Sequence, residues 1–151
     1  MKQSAGILAY KLSGKVLSVL LIHPGGRFWK NRDAGSWSIP KGEFGADESS
    51  LSAAMREFYE ETGIKISGKF LPLDPIKIKS GKVIHAYAAA FEADLEQFRS
   101  NEFEMEWPPR SGRTQRFPEA DRAEYFQIDR AREIITPGQL ALLDQLEKLI
   151  K

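Results

Sequence analysis

Apolar residues recur along the chain with two different spacings, and each spacing predicts one type of element. Two β-rich runs, 4–12 and 16–22, flank Ser13-Gly14-Lys15 and predict neighbouring strands joined by a turn. The second run is almost continuously apolar, which is typical of a strand that is covered on both faces. These two runs predict the beginning of a sheet.

The segment from about residue 47 to residue 62 has helical spacing instead. Its apolar stripe follows the i, i+4, i+7 pattern and consists of Leu51, Met55, Phe58 and Thr62. Gly63 comes directly afterwards and supplies a stop signal. The pattern therefore predicts one central helix that packs through this stripe.

The rest of the chain alternates strand-like runs with polar loops. The further predicted strands are 37–42, 64–73, 76–79, 82–92, 101–107 and 122–128. The segment 108–118 is predicted to be a loop, and Thr136 with Pro137 resembles the start of a helix. The apolar stripe of that helix is Leu140, Leu143, Leu146, Leu149 and Ile150. Strands on both sides of a central helix, with a closing amphipathic helix, predict an α/β sandwich with a mixed sheet.

Composition narrows the class of protein further. A chain of 151 residues is the size of one domain, and 22 Lys and Arg residues against 21 Asp and Glu residues leave a net charge of +1. That balance gives no global argument for binding nucleic acid or a membrane. The absence of cysteine excludes disulfides and zinc–thiolate sites and fits a reducing compartment. The first apolar run is too short for a signal peptide or a membrane span, so we expect a cytoplasmic location.

Three acidic residues fall together on one face of the predicted helix. Glu57 and Glu61 lie one turn apart, and Glu60 lies beside them. Such crowding of carboxylates is costly unless a cation neutralises it, and Mg²⁺ is a hard cation that takes oxygen ligands together with substrate phosphates. The alternative interpretation is a solvated acidic helix face.

The segment around these residues resembles the complete signature of the Nudix hydrolase family. It occupies residues 42–64, and its matching positions are Gly42, Glu48, Arg56, Glu57, Phe58, Glu60, Glu61, Gly63 and Ile64. The resemblance implies a single Nudix domain over residues 1–151, with a Nudix-type α/β/α sandwich around a central mixed β-sheet. It also implies a hydrolase that acts on phosphoanhydride bonds.

The resemblance assigns roles to the signature residues. Glu57 and Glu61 are expected to be the principal ligands of Mg²⁺, with Mn²⁺ as an alternative ion, and Glu60 is a further ligand or the general base. Arg56 is expected to orient the acidic cluster through charge-assisted hydrogen bonds. The expected supporting residues are Gly42, Glu48 and Gly63. Some Nudix enzymes recruit one more carboxylate from beyond the signature, and the candidates here are Glu104, Glu106 and Glu119.

The candidate substrate contacts precede the signature. Arg27 and Trp29 lie in the predicted loop 23–35, and Trp37 and Lys41 follow it. Cations beside aromatic rings suit a ligand that is part phosphate and part flat base, because guanidinium pairs with phosphate and a ring stacks on the base. The alternative is that the rings pin the loop to the core while the cations are solvated.

The leading functional hypothesis is a Mg²⁺-dependent Nudix pyrophosphohydrolase acting on a nucleoside triphosphate or another nucleoside diphosphate derivative. A dinucleoside polyphosphate hydrolase is the alternative within the enzyme class, and a catalytically silent ligand-binding module is the alternative outside it. The expected partner is a small nucleotide or polyphosphate, RNA stays open as a substrate, and no membrane partner is expected. The protein is expected to be a monomer or a homodimer.

Overall fold

The computed structural model describes residues 2–25 and 33–150. Within these residues the strands are β1 (Gln3–Ser13), β2 (Val16–Pro24), β3 (Lys41–Glu43), β4 (Leu71–Pro72), β5 (Ile76–Lys77), β6 (Val83–Ala90), β7 (Glu102–Glu106), β8 (Thr114–Pro118) and β9 (Ala120–Gln127). The α-helices are α1 (Ser50–Thr62), α2 (Ile128–Ile134) and α3 (Leu140–Ile150), and short 3-10 turns cover Leu95–Gln97 and Pro137–Gln139.

Seven of the described strands form a mixed sheet around β1. The order is β4-β6-β1-β2-β9, with β3 also paired to β1 and β5 to β6. Strands β1 and β6 run parallel, whereas β1 pairs antiparallel with β2 and β3. A separate antiparallel ribbon is formed by β7 and β8. The predicted mixed sheet is confirmed.

Alternate residues of β1 and β2 supply two apolar layers, as the pleat of a strand requires. Ile7, Ala9 and Leu20 pack with the buried face of α1. Leu8, Val19 and Leu21 pack on the other face with residues of α2 and α3. The sheet therefore lies between helices on both faces, which confirms the predicted α/β/α sandwich.

The boundaries of the central helix differ from the prediction at its start. The helix begins at Ser50 rather than near residue 47, because the Ser49 side chain accepts a hydrogen bond from the Ser52 N–H at 3.1 Å and caps it. Its end is as predicted, since Gly63 has a left-handed φ of 73° and its N–H donates to the Tyr59 carbonyl.

Four further features of the structure differ from the prediction. The run 64–73 contributes only β4 to the sheet, and β8 occupies the second half of the predicted loop 108–118. Helix α2 was not predicted, although it packs Ala131 and Ile134 into the core. In the last helix Leu142 is buried although it was not part of the predicted stripe, whereas Leu149, which was part of it, is 45% exposed. None of the described helices is long and apolar enough to cross a membrane.

Candidate active site

Helix α1 presents its polar face beside the short strand β3. Its buried residues are Ala53, Ala54, Phe58 and Thr62. The small alanines allow the helix to lie close to β1, and the acidic residues of the signature are left on the side that faces β3 and the end of β9. The apolar contacts thus determine where the carboxylates are held.

Arg56 binds the carboxylates of three signature residues. Its Nε and Nη2 donate to the two Glu48 oxygens at 2.8 and 2.9 Å, a bidentate pair. Its Nη1 donates to Glu57 Oε2 at 2.9 Å and to Glu60 Oε2 at 2.8 Å. The hydrogen bond from Arg56 lowers the pKa of Glu48, and the same bond raises the pKa of Arg56. The guanidinium therefore fixes three acidic side chains relative to one another.

Strand β3 packs its backbone directly onto two carboxylates of α1. The Lys41 N–H donates to Glu61 Oε2 at 2.7 Å. A Cβ on Gly42 would lie 2.0 Å from Glu57 Oε1, so only glycine leaves room for that carboxylate. Burial raises the pKa of Glu61 to about 8, against the opposing effect of the Lys41 hydrogen bond. Burial, followed by repulsion from Glu60, also raises the pKa of Glu57.

Glu119 is the carboxylate beyond the signature that the fold brings to this cluster. Its pKa is raised by burial and by the charge of Glu60, and its own charge raises the pKa values of Glu57 and Glu61. Its backbone is held by two hydrogen bonds, in which its N–H donates to Asn101 at 2.7 Å and its carbonyl accepts from Gly25 at 3.0 Å.

The other two candidate carboxylates, Glu104 and Glu106, lie on the β7–β8 ribbon and have partners there instead. Glu106 accepts from the backbone N–H groups of Arg110 and Gly112, and Glu104 is exposed opposite Arg116. Glu119 could not be singled out in the sequence, because the contact depends on the ribbon returning the chain to the end of β2.

The donor chemistry of the cluster fits a hard divalent cation, since every donor is a carboxylate oxygen. In the described part of the chain, however, no three acidic or histidine side chains converge tightly enough to enclose an ion as they stand. Arg56 engages both Glu57 and Glu60. The predicted convergence of Glu57, Glu60 and Glu61 is therefore not a preformed cage, and a cation would share these oxygens with Arg56 or move them.

Two of the four predicted substrate contacts, Lys41 and Trp37, lie among the described residues, in different surroundings. Lys41 lines a cavity of about 530 Å³, and its ammonium is attracted by Glu61 and Glu57. Trp37 is instead a core residue with 2% exposure, whose ring centroid lies 4.8 Å from that of Phe126. A ring so enclosed has no free face for a base, which corrects its predicted role. Arg27 and Trp29 lie outside the described residues.

Gln139 is a positioning residue that sequence reasoning missed. Its buried side-chain oxygen accepts from the Ile39 N–H at 3.1 Å, and its Nε2 donates to Ser38 Oγ at 3.1 Å. The segment that leads into β3 is thereby tied to the last helical region. The sequence offered one indication of this role, namely that Gln139 is a polar residue beside the apolar stripe of the predicted last helix.

The fold is an α/β/α sandwich, and it holds a cluster of carboxylates beside the junction of β3 and α1. The chain belongs to the Nudix family, because the profile of the NUDIX domain matches residues 2–145. Members of the family are pyrophosphohydrolases that generally need divalent metal ions, and this chain is accordingly a hydrolase of phosphoanhydride bonds. None of the curated proteins matches the chain significantly.

Solved structures with the same fold are distant in sequence. An Ap4A hydrolase from C. elegans, crystallised as a binary complex, has 16% identity and a TM-score of 0.66, with 99% of this chain and 98% of that chain covered. The NUDIX domain of NrtR from Shewanella oneidensis, complexed with ADP ribose, has 16% identity, a TM-score of 0.66 and coverages of 99% and 88%. The E. coli ORF135 protein has 22% identity, a TM-score of 0.59 and coverages of 99% and 91%. These similarities concern the fold alone.

Proposed function

We propose that this Nudix hydrolase is Mg²⁺-dependent and cleaves a phosphoanhydride bond in a nucleoside triphosphate or another nucleoside diphosphate derivative. The observation that carries the proposal is the grouping of Glu57, Glu60, Glu61 and Glu119 around the junction of β3 and α1. Burial raises the pKa of three of them, and Glu60 repels Glu57 and Glu119. Carboxylates that lack full compensation favour a divalent cation.

Some signature residues would bind the ion directly, and others hold those ligands in position. Glu57, Glu60 and Glu61 would bind Mg²⁺, with Mn²⁺ as an alternative. When bound, the ion shields phosphate charge and lowers the pKa of a coordinated water. Arg56 positions Glu57 and Glu60, and Glu48 holds the other side of its guanidinium.

Glu119 joins Glu60 as a candidate for the general base. A carboxylate with a raised pKa that is not itself bound to metal accepts a proton from water more readily than a metal ligand does. Among residues 2–25 and 33–150, no side chain or backbone N–H donates a hydrogen bond to the Glu119 carboxylate. Within that part of the chain, its oxygens can accept a hydrogen bond from a water molecule.

The cavity beside Lys41 suits the nucleoside part of such a substrate. Its volume is about 530 Å³, and its lining residues are Lys41, Ile78, Lys79, Ser80, Ile84, Thr136, Pro137, Gly138 and Gln139. Apolar side chains of Ile78 and Pro137 offer contacts to a base, while Lys41 lies at the end nearest the carboxylates. The phosphate chain would then extend from the cavity towards Glu61.

A substrate panel with matched variants tests the proposal. Wild type, Glu57→Gln and the exposed control Glu104→Gln are assayed with Mg²⁺ on nucleoside triphosphates, ADP-ribose, dinucleoside polyphosphates and capped or triphosphorylated RNA. Products formed in ¹⁸O-labelled water are identified by mass spectrometry, which also reveals the phosphorus that water attacks. We expect Glu57→Gln to lower kcat by about 10² to 10⁴, as removal of a central catalytic group does, and Glu104→Gln to leave it unchanged. Wild-type turnover by Glu57→Gln would contradict the assignment.

Dinucleoside polyphosphates are the second candidate substrates. The C. elegans Ap4A hydrolase shares the fold over nearly the full length of both chains, which supports including Ap4A in the panel. The NrtR domain bound to ADP ribose gives the same support for ADP-ribose. The cytoplasmic location and the monomeric or dimeric state stay predictions.

A further inference from the structure

Five lysines border the candidate active site on the side of β5 and β6. They are Lys2, Lys41, Lys77, Lys79 and Lys82. Backbone hydrogen bonds hold three of them together, since the Val83 N–H donates to Lys2 at 3.0 Å, Lys77 pairs with Val83, and the Ile78 N–H donates to Lys82 at 3.0 Å. The sheet itself, not flexible side chains alone, brings these positions to one place.

The lysines line two neighbouring cavities. One has a volume of about 520 Å³ and is lined by Lys2, Glu43, Lys77, Ser80, Gly81 and Lys82. The other is the cavity of about 530 Å³ that contains Lys41 and Lys79, and Ser80 lines both. We call the first cavity, together with Lys41 and Lys79 of the second, the lysine groove; the apolar part of the second cavity is left for the nucleoside. The lysine groove leads from Lys41, beside Glu61, outwards along the β5–β6 turn.

The charge of the lysine groove contrasts with that of the whole chain. Among the described residues that line it, five are lysines and only Glu43 is acidic, whereas the complete chain has a net charge of +1. The Lys82 Nζ lies 3.2 Å from Glu43 Oε2. Lys41 and Lys79 line the second cavity, next to the cavity that Lys2, Lys77 and Lys82 line. Repulsion among these ammonium groups is relieved when a polyanion binds.

We propose that the lysine groove binds phosphate groups of the substrate beyond the bond that is cleaved, which makes a nucleotide with four or more phosphates, such as a dinucleoside tetraphosphate, the preferred substrate. This inference rests on the proposed function. The carboxylate cluster takes the reacting phosphates, Lys41 lies at the junction, and Lys77 and Lys82 meet the phosphates further along. A substrate with only two phosphates does not reach the outer lysines.

The kinetic test compares a long and a short phosphate chain. For each variant the ratio of kcat/KM on a dinucleoside tetraphosphate to kcat/KM on ADP-ribose is measured with Mg²⁺. We expect Lys77→Gln and Lys82→Gln each to lower that ratio by about five- to tenfold, the size of one lost charge contact at a partly exposed site. Lys15→Gln, in the turn at the far end of β1 and β2, makes the same charge change away from the groove and keeps the wild-type ratio.

A variant with the opposite charge effect strengthens the test. Glu43→Gln removes the acidic partner of Lys82 and is expected to raise the ratio by about two- to fivefold, since it frees one ammonium. A ratio that stays at the wild-type value in Lys77→Gln, Lys82→Gln and Glu43→Gln overturns the proposal.

Binding without turnover separates this proposal from the proposed function. Inorganic tripolyphosphate is titrated calorimetrically into metal-free wild type, Lys77→Gln, Lys82→Gln and Lys15→Gln. About tenfold weaker binding confined to the two groove variants supports the groove, even if no nucleotide is hydrolysed. Equal binding by all four proteins overturns it. The same lysines could instead bind an RNA oligonucleotide that has no terminal phosphate more tightly than tripolyphosphate. That result also overturns the proposal, in favour of a nucleic-acid surface.

Discussion

Replacing Glu61 by Gln should stabilise the metal-free protein in mildly alkaline solution. Burial raises the pKa of Glu61 from 4.5 to about 8, so the folded protein holds a proton there that the unfolded chain has already lost. Stability contributed by this group is therefore complete below pH 4.5, declines as the pH rises, and is fully lost above about 8. Glutamine avoids this penalty, and its amide oxygen still accepts the Lys41 N–H.

The size of the effect follows from the two pKa values. Their full difference corresponds to about 5 kcal/mol at 1.36 kcal/mol for each pH unit. Because the carboxylate is only partly enclosed, solvent screening reduces this, and we expect Glu61→Gln to raise the free energy of unfolding at pH 9 by roughly 2 to 4 kcal/mol. At pH 4 the two proteins should be equally stable, since both carry a neutral side chain there.

Urea unfolding in EDTA at several pH values between 4 and 9 measures this difference. The exposed variant Glu96→Gln is the matched control and should follow wild type throughout. Addition of Mg²⁺ at pH 8 should raise the Tm of wild type and of Glu96→Gln but raise that of Glu61→Gln much less, because a cation favours the ionised carboxylate. A stability difference that does not grow between pH 5 and pH 8 would refute the reasoning about burial.

Three further substitutions have distinct expected outcomes. Gly42→Ala should lower kcat by about 10² while the circular dichroism spectrum stays unchanged, because the new Cβ displaces the movable carboxylate of Glu57 rather than backbone; wild-type activity would contradict the close approach. Arg56→Lys should weaken Mg²⁺ binding by about tenfold in isothermal titration, because an ammonium cannot make the bidentate pair with Glu48 and also donate to Glu57 and Glu60; unchanged affinity would show that the guanidinium is dispensable. Gly63→Ala should lower the free energy of unfolding by about 1 to 3 kcal/mol in urea, because its φ is 73° and a Cβ would lie 2.7 Å from the Arg99 carbonyl; an unaltered urea midpoint would argue against strain there.

The central helix and the positions of its acidic residues could be predicted because both depend on local pattern. The glycine stop and the spacing of the acidic residues lie within one segment. The predicted stripe is only half right, because Phe58 and Thr62 are buried but Leu51 and Met55 are partly exposed, and Ala53 and Ala54 are buried instead. The start of the helix was predicted three residues early, because several residues before Ser50 could have capped it and the choice of Ser49 depends on its own backbone conformation. Propensity alone does not distinguish such neighbours.

The missed elements depend on partners that are distant in sequence. Strand β8 is mostly exposed and exists because β7 lies opposite it, with Phe103 paired to Phe117. Helix α2 has only two buried residues, too few for a helical pattern to stand out. Run 64–73 was predicted as a strand that ends before Asp74 and Pro75. Ile64 and Ile66 are buried, but they pack against α1 and pair with no neighbouring strand among the described residues.

The way in which the β7–β8 ribbon joins the rest of the fold has a consequence for its length. The Asn101 N–H donates to the Glu60 carbonyl at 2.8 Å, and the Asn101 carbonyl accepts from the Glu119 N–H. The start of the ribbon is thus joined to α1, and the residue that follows the ribbon is joined to that start, so the hairpin between them can be shortened, lengthened or exchanged without shifting Glu119. Natural or engineered insertions between β7 and β8 would alter the surface beside the candidate active site while the carboxylates stay in place.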